Sequence, residues 1–176
     1  MIMRPGQQLL LPANPLFVWG SLTAAFALMV LLNVGGGGRA AWVPDLLALT
    51  LVFWGVHQPL RVGISTAFVF GLLTDVHQSS VLGQHALAYV VLSYLTVTIH
   101  RRLLWFNLRA QAAQVFPLLV VAHAIDLAVR LLAGGHFPGW SLLLAPVIEA
   151  LLWPPASLLL LLPQRRAPDP DATRPL

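Results

Sequence analysis

Residues 68–89 read FVFGLLTDVHQSSVLGQHALAY, and this stretch decides the fold. It begins as an apolar run, closes that run at Gly71-Leu72-Leu73-Thr74-Asp75, crosses a polar segment with one glycine, and turns apolar again at Ala86. A carboxylate at the end of a hydrocarbon-length segment is costly unless it reaches water or a partner. Asp75 is therefore expected to mark where one membrane segment stops. Val76 to His85 are expected to form the loop, with Gly83-Gln84-His85 leading into the next helix.

The composition around this stretch explains why lipid is the expected solvent. Of 176 residues, 58% are hydrophobic and 9% charged, and the mean hydropathy is +0.80. A soluble domain carries roughly 25% charged residues, so this chain lacks the polar groups to cover a globular surface. The length suits one bundle, residues 1–163, followed by a proline-rich tail, 164–176, read as disordered and cytoplasmic. With no cysteine there is no disulfide framework and no thiolate metal site. All ten basic residues are arginines scattered over short flanks. They make no basic face, so nucleic acid is not an expected partner.

Six apolar segments follow in order. Leu16 to Val34 is about 19 residues, long enough to span as a helix. It is longer than a signal-peptide core, and Gly38-Arg39-Ala40 is a poor cleavage site, so the span is expected to be retained. Gly35 to Gly38 form a break. Pro44-Asp45 open a second, short span, Leu46 to Val56, where an acid near the N-terminus complements the helix dipole. His57-Gln58-Pro59 end it, and Val62 to Thr74 form the third. These two are expected as short helices, with a re-entrant hairpin as the alternative. The fourth is Ala86 to Ile99, with extension back through Gly83 as the alternative. Leu103 to Arg109 then read either as an interfacial helix or as a loop anchored by Trp105. The fifth is Ala113 to Leu132 and the sixth Leu142 to Leu162, which Pro154-Pro155 should kink. Ser21 with Ala25 and Gly63 with Ala67 are candidate helix-packing positions, because small residues let helices approach closely in lipid.

Arginine placement sets the orientation. With both termini inside, eight arginines (Arg4, Arg61, Arg101, Arg102, Arg109, Arg165, Arg166, Arg174) face the cytoplasm and two (Arg39, Arg130) face out. The chain is thus expected to be a multi-pass membrane protein with both termini cytoplasmic. In this topology Asp45, Asp75, Asp126 and Glu149 all fall at the outer end. Asp126 and Glu149 lie at similar depth on neighbouring helices, about 9 Å from the end at 1.5 Å per residue. His123, Asp126 and Arg130 share one helix face, which places Arg130 to pair with Asp126, Glu149 or both. The cluster reads either as an outward polar pocket or partner-docking site, or as a closed ion-pair network between helices. For Asp75 the plain account is turn geometry and helix capping. His77, His85 and His100 read as surface residues.

Catalytic motifs are missing. There is no HExxH and no GxSxG, and Asp75, His77, Ser79 and Ser80 within one loop do not amount to triad geometry. No metal, cofactor or enzymatic activity is expected.

The order Pro44-Asp45-Leu46-Leu47, Trp54, Pro59, Phe68 to Asp75 and Ser80 to Tyr89 resembles the rod shape-determining membrane protein MreD family. Gly-Leu-Leu-x-Asp followed by Leu-Gly-x-x-Ala-Leu-x-Tyr is the strongest piece of that resemblance, which covers Pro44 to about Tyr94. It implies a non-enzymatic scaffold subunit of the bacterial elongation complex, supporting lateral peptidoglycan synthesis and cell shape. Its implied partners are an MreC-like bitopic protein and, through it, MreB, RodA and its transpeptidase partner. The family fold is similar to the six-helix substrate-binding component of energy-coupling-factor transporters. That similarity implies the alternative, a small-molecule-binding membrane subunit with an outward-facing pocket.

Overall fold

The structure, a computed structural model, describes residues 14–35 and 42–164. Arg4, Arg39, Arg165, Arg166, Arg174, the glycine run beyond Gly35 and the proline-rich tail beyond Gln164 lie outside the described residues. Six α-helices account for nearly all the rest: α1 Pro15–Gly35, α2 Leu46–His57, α3 Ile64–Gln78, α4 Gln84–Leu103, α5 Leu108–Leu132 and α6 Leu144–Leu161. A short 3-10 turn, Trp140–Leu143, leads into α6.

The centre of the bundle is α2. Every residue from Leu47 through Val56 is buried, as befits a helix that is apolar all round. Trp54 has no exposed surface. Its ring meets Phe17 edge-on at 5.9 Å and Phe53 at 5.0 Å, and Phe53 reaches Trp153 of α6 at 6.3 Å. The indole N–H of Trp54 donates to Ser21 Oγ at 2.8 Å, satisfying a polar group that lipid or core would otherwise leave unpaired. Helix α4 packs against α2, α3 and α5, and α6 closes the bundle on α5 and α2.

At 12 and 15 residues, α2 and α3 are about 18 and 22 Å long, against about 31 Å for α1 and 38 Å for α5 at 1.5 Å per residue. Among the described residues, three helical stretches are long and apolar enough to cross a membrane: Pro15–Asn33, Leu108–Leu132 and Trp140–Gln164.

Several boundaries differ from expectation for local reasons. Asp75 does not end its helix, because α3 continues to Gln78 and stops where Ser79 turns left-handed at φ 48°. Helix α4 starts at Gln84, earlier than the apolar run suggests, because its first N–H groups find acceptors (below). Of the two readings for Leu103 to Arg109, the loop holds at Leu104 to Asn107, which form a turn and not an interfacial helix. Asn107 Oδ1 accepts from Ala110 N–H at 2.9 Å and starts α5 there, as an N-cap asparagine does. In agreement with the sequence, Pro154 and Pro155 lie inside α6, and Pro117 lies inside α5.

The small residues proposed for packing are used inside the chain. Ala67 is fully buried in α3, Ser21 is committed to Trp54, Ala25 is half-buried, and Gly63 is the N-cap of α3. Ala67 and Ser21 therefore do not form an open face for a second chain.

Candidate functional site

The most organised part of the molecule is the contact between the end of α3 and the start of α4. Here the decisive residue is Gly71. A Cβ at that position would stand 2.3 Å from Ala86 Cα and 2.7 Å from Ala86 N, so only glycine lets the α4 backbone come this close. One turn further along α3, on the same face, Asp75 points at the segment that Gly71 has admitted.

Asp75 is 1% exposed, and its carboxylate collects donors from that segment. Oδ2 accepts from Gly83 N–H at 2.8 Å. Oδ1 accepts from His85 N–H at 2.8 Å, His85 Nδ1–H at 2.8 Å and Ser80 Oγ–H at 3.0 Å. The first four N–H groups of a helix have no partner within it. Gly83, at φ +99°, precedes α4 but has no side chain to cap it. Asp75 performs that task from the neighbouring helix. Ser80, His85 and Asp75 thus meet, but the carboxylate is the hub. A nucleophilic triad needs the imidazole between hydroxyl and acid, and this arrangement does not supply it.

His85, read from the sequence as a surface residue, instead bridges two acids. Its Nε2 lies 3.5 Å from Asp126 Oδ1, and the same oxygen accepts from Gln84 Nε2–H at 2.8 Å. Asp126 is therefore held by α4. Asp45 caps α2 through Ala48 N–H at 2.9 Å and accepts from the Tyr89 hydroxyl at 2.5 Å. The Asp45 backbone N–H donates to Glu149 Oε1 at 2.7 Å, and that oxygen also accepts from His123 Nε2–H at 2.9 Å. Glu149 has no exposed surface, and its Oε2 finds no hydrogen-bond partner among the described residues.

The structure thus gathers Asp45, Asp75, His123, Asp126 and Glu149 at one end of the bundle. They come from the starts of α2 and α6 and the ends of α3 and α5, and the start of α4 meets them there, so these helices alternate in direction. The pairing differs from the arginine-centred one expected. Among the described residues Arg130 makes no ion pair. Asp126 is drawn to Gln84 and His85, and Glu149 to His123 and Asp45. Gln84, His85 and Tyr89 were missed as site residues. Their signal was position, since all lie in the first two turns of the helix that follows Asp75.

Part of this network borders a cavity of about 290 Å³, walled by Met29 and Asn33 of α1, Asp45, Tyr89, and His123, Asp126 and Arg130 of α5. A second cavity of similar volume shares His85, Asp126 and Arg130 with it. Among the described residues no three His, Asp or Glu side chains are grouped to hold a metal ion.

Long apolar helices, a centrally buried α2 and acids joined into a network at one bundle end define a helical membrane protein. Residues 13–162 match the family described as rod shape-determining protein MreD. A rod shape-determining protein MreD of Haemophilus influenzae is 30% identical over 121 residues, covering 66% of this chain and 72% of the relative. The chain belongs to the MreD family. No solved structure matches it.

Proposed function

We propose that this chain is a non-enzymatic scaffold subunit of the bacterial elongation complex, supporting lateral peptidoglycan synthesis and rod shape. The observation that carries the reading is the family match over residues 13–162. The site chemistry is compatible with it, because the acids of the bundle end cap helices and join them. The partners proposed are an MreC-like bitopic protein and, through it, MreB, RodA and its transpeptidase partner. The chain would lie in the inner membrane as six spans with both termini cytoplasmic, the arrangement that leaves most arginines inside. The acid-rich end would then face the periplasm. A six-helix likeness to the substrate-binding component of energy-coupling-factor transporters belongs to the same proposal. A second reading, a small-molecule-binding subunit of a transporter, is favoured by the cavity at the acid-rich end.

The test is co-expression of the tagged full chain with an MreC-like partner, with recovery from detergent and the shape of depleted cells as readouts. The scaffold reading expects co-purification and rounding on depletion. Rod-shaped depleted cells and no recovered partner would overturn it. For orientation, a cysteine placed at Gln78 should react with an impermeant maleimide added to whole cells. Reaction only after cell lysis would reverse the map.

A further inference from the structure

The cavity at the acid-rich end has unused binding capacity of both signs. On one wall, α5 presents Asp126 and Arg130 one turn apart, the spacing at which an acid and a base on a helix ordinarily meet. They do not meet here. Gln84 and His85 hold Asp126 Oδ1 on the α4 side, and Asp126 Oδ2 has no partner among the described residues. Arg130 lines both cavities and makes no ion pair among the described residues. Across the space, the Asn33 amide has no hydrogen bond among the described residues, and of the two His123 ring nitrogens only Nε2 is engaged. Met29, Leu119 and Leu142 supply apolar wall. An apolar lining with a few convergent polar groups is the usual make-up of a small-molecule site.

From this geometry we propose that the cavity binds a small zwitterion, with its acid group on Arg130 and its ammonium on Asp126. An anion alone would leave Asp126 Oδ2 facing the ligand with no donor. A cation alone would do the same to the guanidinium. A compact molecule carrying both charges satisfies the two ends of one helical turn together, and its carbon frame lies against the apolar wall. The α4 contacts keep the site open by preventing Asp126 from closing on Arg130. The inference deepens the small-molecule reading by naming a ligand class, and it also holds for a scaffold. Co-purification with the partner and zwitterion binding are separate readouts, so one can fail while the other stands.

The experiment uses the full chain in detergent, with 4-aminobutyrate, butyrate and butylammonium as probes. Thermal unfolding and titration calorimetry are the readouts. The expected result is saturable stabilisation by 4-aminobutyrate, with each single-charge analogue needing about tenfold more ligand or above. Asp126→Asn, which keeps an acceptor for Gln84, should reduce 4-aminobutyrate to the level of butyrate. Arg130→Gln should reduce it to the level of butylammonium. Equal responses to all three probes, no saturable response, or a response unchanged by both substitutions would overturn the proposal.

Discussion

Substituting Gly71 by alanine is the sharpest test of how this bundle is assembled. The added Cβ would lie 2.3 Å from Ala86 Cα, whereas carbon atoms in good contact sit about 3.5–4.0 Å apart. Helices α3 and α4 must then separate by roughly 1.2–1.7 Å at that point. The bonds from Gly83 N–H and His85 N–H to Asp75 are both 2.8 Å, so the same displacement stretches them to about 4 Å, beyond hydrogen-bond range. Overpacking costs about 1–3 kcal/mol, and each buried donor left unpaired costs about 1–3 kcal/mol. The low end of that sum, about 3–5 kcal/mol, is expected because water at the bundle end can take up part of the loss. By the scale for domains of this size that lowers Tm by roughly 6–20 °C. The assay is thermal unfolding of the purified chain in detergent, with Asp75→Ala and the double variant completing a cycle. Because Gly71→Ala already breaks the Asp75 bonds, the two changes should combine to about 1–3 kcal/mol less than their sum. A Gly71→Ala protein melting within about 2 °C of the parent, or strict additivity with Asp75→Ala, would refute the reasoning. So would an equal effect at Gly20, which has nothing within 4 Å of an added Cβ.

Three further outcomes are expected. Tyr89→Phe removes the hydroxyl that donates to Asp45. Asp45 is half-buried and water can replace the donor, so the loss is about 1–2 kcal/mol, read as a fall in Tm. Asp126→Ala and Arg130→Ala should be additive within about 0.5 kcal/mol when no ligand is present, because the two do not pair. A coupling above about 1 kcal/mol would restore the ion pair between them. Ala67→Leu should lower the Tm of the isolated chain by overpacking a fully buried position. If it instead weakens only partner recovery, Ala67 belongs to an intermolecular face.

Much of the site was readable because its polar residues are few. In a chain with 9% charged residues, an acid within an apolar run stands out, so Asp45, Asp75, Asp126 and Glu149 could be placed at one end by counting residues. Helix periodicity put His123, Asp126 and Arg130 on one face, and the cavity wall carries all three. What failed was the choice of partner. Charge spacing along α5 favours Asp126 with Arg130, yet the acid is held by Gln84 and His85, about forty residues earlier in the chain. Opposite charges attract at any distance a sequence allows, but which donor reaches a carboxylate depends on how closely two helices approach. That distance is invisible in spacing.

The amino-acid sequence alone therefore pointed to a helical membrane protein, to six helices and to acids gathered at one end, because hydrophobicity and helix rise are local properties. Tertiary structure alone decided that Asp75 caps a neighbouring helix, that Glu149 pairs with His123, and that Asp126 and Arg130 stand apart beside a cavity. The physical reason lies at Gly71: a single missing Cβ lets the α4 backbone come within reach of Asp75, and hydrogen bonds act only over about 3 Å.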